Sequence, residues 1–133
     1  PPAPAPRARA GADDARTTDG GPATLDVTPL EETGAVIVPR GRLTLTTAPQ
    51  LRDAVTDLVE AGRTRLVVDL GSLEFVDSSG LGALVGGLRT TRAAGGDLRL
   101  ANAAPSVATV LRLTNLDRVL RVHDDAASAF ADG

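Results

Sequence analysis

From about Ala23 onward, short apolar runs alternate with stretches in which apolar residues recur every three or four positions. Residues 24–27 and 35–38 are rich in β-branched side chains and are separated by the turn-prone Glu32-Thr33-Gly34, so the pattern predicts a hairpin. Pro39 cannot donate to a ladder, which makes the second strand an edge or a bulge at that point. Thr47-Ala48-Pro49-Gln50 predicts a helix start, with Thr47 capping the free amides and Gln50 reaching back. Leu51, Ala54, Val55, Leu58 and Val59 follow at helical spacing, and Gly62 is the expected stop. Residues 66–70 form a continuous β-rich run of the kind buried on both faces of a sheet. A second helix is predicted over 80–94, a strand over 98–101 and a third helix over 105–114, with Val107, Val110 and Leu111 on one face. A last strand over 119–122 and a short terminal helix over 126–131 complete the pattern. The class is α/β: a mixed, mostly parallel sheet of about four to five strands, antiparallel at its N-terminal end and covered by about four helices.

Residues 1–21 offer no aliphatic side chain larger than alanine and are dense in Pro, Gly, Thr, Asp and Arg. Such a composition cannot build a core, so residues 1–22 are expected to be a disordered tail and residues 23–133 one domain. The tail has no apolar run of the signal-peptide kind, and nowhere are eighteen successive residues apolar, so a cytoplasmic location is expected.

Composition then removes function classes. A length of 133 residues with 42% hydrophobic content suits one core. A net charge of -3 and only two Phe give neither a basic footprint nor stacking surfaces, which argues against nucleic-acid and membrane partners. The absence of Cys excludes disulfides and thiolate metal sites, and a single histidine, His123, is a poor supply of ligands, so no metal is expected. All basic residues are Arg, so no lysine is present for a phosphate-binding loop or a Schiff base. No cofactor is implied.

The stretch Asp77-Ser78-Ser79-Gly80-Leu81-Gly82 is expected just after the third strand, opening the second helix. Asp77, Ser78 and Ser79 are all good N-caps, and capping alone would account for them. It does not account for Gly80, Gly82, Gly86 and Gly87, each of which costs about 1 kcal/mol relative to Ala inside a helix. Such glycines either let the helix lie close to the sheet or leave the hydroxyls open to an incoming partner.

Several stretches together carry a resemblance: Leu66-Val67-Val68-Asp69-Leu70, Phe75-Val76-Asp77-Ser78-Ser79-Gly80-Leu81-Gly82, Ala93-Ala94-Gly95-Gly96-Asp97-Leu98-Arg99-Leu100, and Val110-Leu111-Arg112-Leu113-Thr114-Asn115-Leu116-Asp117. In this order they resemble the successive signatures of a STAS domain, specifically of bacterial anti-sigma factor antagonists, over residues 25–130. The resemblance implies the STAS fold and a non-enzymatic role. It implies that Ser78 is phosphorylated by a partner that is both serine kinase and anti-sigma factor, that a protein serine phosphatase reverses this, and that ATP and magnesium belong to the kinase. Asp77, Ser79, Gly80, Leu81 and Gly82 would then form the surface the kinase grips. One place departs from the family, which usually ends its second strand in G-E-L-D where this chain has Gly41-Arg42-Leu43-Thr44. Arg42 and Thr44 thus replace two acids beside the Ser78 loop, and either stabilise a phosphoserine or suit a different kinase.

Competing readings are weaker. Gly80-Leu81-Gly82-Ala83-Leu84-Val85-Gly86 has one residue too many for a dinucleotide fingerprint, and Leu100-Ala101-Asn102 lacks the acid for a ribose hydroxyl. A hydrolase built on Ser78 and His123 would need a nucleophile elbow or an equivalent oxyanion hole, and none is visible. His123 reads as a strand-end residue and Asp69 as a carboxylate satisfied by loop amides. The remaining alternative is a binding module of the same fold, in a lipid or anion transport system or a stress-signalling scaffold.

Overall fold

The computed structural model describes residues 24–130. The expected tail, and the last residue of the expected terminal helix, lie outside the described residues. In chain order the elements are β1 (Thr24–Leu30), β2 (Gly34–Leu43), α1 (Ala48–Glu60), β3 (Arg65–Asp69), β4 (Leu73–Val76), α2 (Ser78–Ala93), β5 (Asp97–Ala101), α3 (Pro105–Leu113) and, after a 3-10 turn at Leu116–Arg118, β6 (Val122–His123). β1 and β2 form the expected antiparallel hairpin, and every other strand pairing is parallel, in the order β1-β2-β3-β5-β6 with β4 beside the far end of β2. The mixed, mostly parallel α/β class is as expected, though the described residues hold six strands, not four to five, and three α-helices, not about four.

β2 is the spine. β3 pairs with its residues 34–37 and β4 with its residues 41–43, leaving Val38, Pro39 and Arg40 paired to β1 alone. Pro39 therefore sits where β2 is locally an edge, and its missing N–H leaves no ladder bond unmade.

Alternation along the strands sorts the two sheet faces. Ile37, Leu66, Val68, Leu98 and Leu100 point to one side and are buried against Leu51 and Val55 of α1, Leu84 and Leu88 of α2, and Val107 and Leu111 of α3. The other side carries Val36, Val67 and Ala101, and no α-helix among the described residues covers it. The chain end does so instead: Ala126, Ala129 and Phe130 pack on these residues, the Phe130 ring lies 4.8 Å from the Arg65 guanidinium and 4.3 Å from that of Arg99, and Arg99 donates to the Ala129 carbonyl at 2.8 Å.

Four details differ from expectation. The third predicted strand does not hand over to α2, because β4 intervenes; four residues long and without alternation, it carries no periodic signal. Thr47 precedes α1 but makes no side-chain cap, and no capping box with Gln50 forms: its hydroxyl is drawn into the preceding loop, where it donates to the Arg42 carbonyl at 2.7 Å and accepts from the Thr44 amide at 2.8 Å. The last strand is Val122–His123 instead of 119–122, since the backbone at Asn115 turns left-handed and winds the next residues into a 3-10 turn that buries Leu120. Up to Phe130, the expected terminal helix is a run of turns. There the Asp125 carboxylate accepts from the Ser128 amide at 2.9 Å, which holds its pKa below the ordinary carboxylate value.

Helix α2 owes its place to two of its four glycines. A Cβ on Gly80 would run into the Leu43 carbonyl oxygen and stand 2.7 Å from Val76 Cγ2; one on Gly87 would stand 2.9 Å from Leu98 Cδ1 and 3.4 Å from Val55 Cγ2. These two glycines let α2 press onto β2, β4, β5 and α1. At Gly86 nothing lies within 4 Å of such a Cβ, and at Gly82 only Arg52 Nη2 does, at 3.7 Å. The glycines thus divide between close packing and an open helix face.

Two outcomes follow for stability. Gly80→Ala should destabilise by about 1 kcal/mol net, because an overpacking cost of about 1–3 kcal/mol outweighs a helix-propensity gain of about 1 kcal/mol, whereas Gly86→Ala keeps the gain alone. Urea midpoints moving in the same direction for both would contradict this packing. Phe130→Ala should lose about 2 kcal/mol, less than a fully buried Phe, as the cover over Val67 and Ala101 lifts; an unchanged midpoint would show that the chain end contributes nothing.

Candidate functional site

The Ser78 loop is built where β2, β4 and α2 converge. In the β2–β4 register Gly41 pairs with Leu73 and Arg42 with Phe75, so Glu74 is an extra residue and the strand is bulged there. The bulge changes which residues of β4 face outward: Leu73 and Val76 are buried, while Glu74 and Phe75 are exposed. Phe75 then meets the side chain opposite it, and the Arg42 guanidinium lies 4.9 Å from its ring centroid.

After Val76 the backbone stays extended for one residue, Asp77, before turning helical. Asp77 is the N-cap of α2. One carboxylate oxygen accepts from the Gly80 amide at 3.0 Å, the other accepts from the Leu45 amide at 3.2 Å, and the Asp77 amide donates to the Leu43 carbonyl at 3.1 Å. A single side chain thereby satisfies a first-turn amide of α2 and fastens the end of β2 to the helix start. Because Asp77 does the capping, neither serine is needed for it. The hydroxyls of Ser78 and Ser79 make no hydrogen bond with any described residue; Ser78 is exposed and Ser79 half-buried.

The remaining expected residues fall into place around these two. Gly80 is buried beneath the loop, Leu81 is partly buried against the core, and Gly82 is exposed one turn beyond Ser78 on the same helix face. Arg42 and Thr44 lie at the end of β2, in the loop that Asp77 holds through the Leu45 amide. Three residues not anticipated complete the surface. Leu45 is 74% exposed and Phe75 45% exposed, a pair of large apolar side chains on either side of the Asp77 seam, and Arg52 of α1 stands beside Gly82. Phe75 carried a signal, as one of the two aromatic residues of the chain and next to the D-S-S-G run. Leu45 carried none, since Leu43-Thr44-Leu45 reads as ordinary strand alternation.

Of the residues weighed for other chemistry, Asp69 is occupied by its own loop. Asp69 Oδ1 accepts from the Gly71 amide at 2.9 Å and from Asn102 Nδ2 at 3.2 Å, as expected of a carboxylate satisfied by its loop. His123 is the last residue of β6. Among the described residues no group of His, Asp and Glu is placed to hold a metal ion, and no helix is long and apolar enough to cross a membrane. The site offers an exposed hydroxyl on a rigid mount with an apolar and basic surround, a surface suited to contact with another macromolecule.

Comparison with known proteins agrees with this architecture. The anti-sigma-B factor antagonist of Bacillus subtilis is 29% identical over 82 residues, 62% of this chain and 74% of the relative. A crystal structure from Thermotoga maritima, assigned as an anti-sigma factor antagonist, superposes with a TM-score of 0.74 at 26% identity, covering 81% of this chain and 92% of the other. A sulfate transporter family protein of Wolinella succinogenes shares the fold alone, at 20% identity and a TM-score of 0.66, over 80% of this chain and 87% of its own. The model of the STAS domain family matches residues 26–129, and the chain belongs to the STAS domain family.

Proposed function

We propose that this protein is an anti-sigma factor antagonist that acts in the cytoplasm as a phosphorylation-controlled binding switch. Unphosphorylated, it docks through the Ser78 loop and the open face of α2 onto a kinase-type anti-sigma factor and so frees a sigma factor. Leu45 and Phe75 supply apolar anchors, and Asp77, Ser79, Gly80, Leu81 and Gly82, with Arg42 and Thr44, form the contact surface. The kinase transfers the γ-phosphoryl group of ATP to Ser78 Oγ, releasing ADP and the hydroxyl proton, and a serine phosphatase hydrolyses the ester. A phosphate adds about -1.5 to -2 charges to a surface that must lie flush against its partner, and the complex dissociates.

One observation carries the reading: Asp77 caps α2 through the Gly80 amide and holds the loop after β2 through the Leu45 amide, so the exposed Ser78 hydroxyl is spared for chemistry at the helix start. The named function of the Bacillus subtilis relative supports the choice of partner.

Ser78→Asp and Ser78→Ala separate the switch from a mere cap. An acid at a helix N-terminus is favourable by about 0.3–1 kcal/mol, so both variants should fold with similar melting temperatures. In a pull-down with the cognate anti-sigma factor they should part company. A charge buried without a counter-ion costs several kcal/mol, so Ser78→Asp should bind about a hundredfold more weakly, while Ser78→Ala binds constitutively. Equal binding by the two variants, or phosphate found by mass spectrometry on Ser79 or nowhere after incubation with kinase and ATP, would refute the assignment to Ser78.

A further inference from the structure

Arg52 is exposed on the first turns of α1 and makes no hydrogen bond or ion pair with any described residue. Its guanidinium is nevertheless well placed. Nη2 stands 3.7 Å from where a Cβ on Gly82 would be, above the open face of α2. The two helices pack side by side and run the same way, Arg52 meeting Gly82 near their starts and Val55 meeting Gly87 further along. Ser78 lies one helical turn before Gly82 on that same face, and Cβ positions four apart on a helix are separated by about 6 Å. Nη2 is therefore within roughly 10 Å of the Ser78 Cβ, beside the space that the missing Cβ of Gly82 leaves. A phosphate on the exposed Ser78 is thus within reach of the Arg52 side chain, and a guanidinium on a flexible stem pairs with phosphate through two parallel hydrogen bonds.

Arg42 is the other arginine near the loop, and it is differently disposed. Its guanidinium is held over the Phe75 ring, opposite the β4 bulge, and the register places it on β2 beside Phe75 and not on α1 beside Gly82.

We propose that Arg52 is the internal counter-ion of a phosphate on Ser78, forming an ion pair across the groove between α1 and α2. The inference rests on Ser78 as the modified residue and adds what the phosphate does to the chain that carries it. The ion pair fixes beside Gly82 a guanidinium that in the unmodified chain stands there without a partner among the described residues.

The test uses the full chain with phosphoserine installed genetically at position 78, so that no kinase is involved, and follows the phosphate by phosphorus NMR as pH is varied. An adjacent guanidinium favours the dianion and lowers the second phosphate pKa, ordinarily about 6. The dipole of α2 lowers it too, but equally in every variant, so the difference between chains isolates the arginine. R52Q should raise that pKa by about half a unit relative to the unsubstituted phosphoprotein, and R42Q should leave it unchanged within about 0.2 unit. R52Q should melt with the unsubstituted chain, since its side chain is exposed, and R42Q should melt only slightly lower, since it gives up the exposed contact with Phe75. Coincident titration of R52Q and the unsubstituted phosphoprotein, or a shift produced by R42Q in place of R52Q, would overturn the proposal. A kinase that ignores Ser78 would instead sink the switch and leave this ion pair standing.

Discussion

The Asp77 carboxylate is the joint on which the site depends. Its two oxygens bind amides from different parts of the chain, one in the first turn of α2 and one in the loop after β2. Leu45 lies 32 positions before Asp77 in sequence, and the bond between them fixes the height at which the helix begins above the sheet. Gly80 makes the same seam possible from below, since any side chain there would displace the Leu43 carbonyl that accepts from the Asp77 amide. Cap and glycine act together: the carboxylate draws the helix start toward β2, and the missing Cβ lets it arrive. Ser78 is then presented by a backbone braced on two sides, which suits a residue that another protein must find in one conformation.

The bulge at Glu74 has a second consequence for this surface. Without the extra residue, Phe75 would not pair with Arg42 and its ring would not stand beside the loop. The contact between Arg42 and Phe75 is exposed, worth about 0.5–1 kcal/mol, so it orients both groups more than it stabilises the fold. Arg42 is thus accommodated by an aromatic ring. Arg42 lies over that ring while leaving the ring edge and Leu45 accessible.

Most of the architecture was legible because its signals are periodic. The hairpin, the three helices and β5 announce themselves through spacing and glycine punctuation, and Gly62 ends α1 with the left-handed backbone expected of it, at φ 90°. What escaped was short or depended on distant contacts. β4 is only four residues long and bulged, so it shows neither alternation nor a helical stripe. Thr47 has the right identity and spacing for a cap, but a buried hydroxyl takes the strongest partners within reach, and the Arg42 carbonyl and Thr44 amide were nearer than the helix amides. At the site, motif and position were readable, while the division of labour between Asp77 and the serines was not. Any of the three can cap in isolation, and only the loop after β2 decides that Asp77 does.

The electrostatic setting of Ser78 bears on where a switch would act. The chain carries a net charge of -3, yet the ground around this hydroxyl is locally different: the positive end of the α2 dipole lies beneath it, and Arg42 and Arg52 lie nearby. Asp77 opposes them, with its carboxylate held by two amide hydrogen bonds. A negative group placed on Ser78 therefore meets a surround that largely tolerates it, and the fold has little reason to rearrange. Under the proposed switch, the energy that separates bound from released states must then come from the partner's side of the interface, where the same charge is buried against a surface selected to receive a neutral hydroxyl. That arrangement fits a modification that has to be added and removed repeatedly: the carrier stays folded in both states, and only the fit to its partner changes.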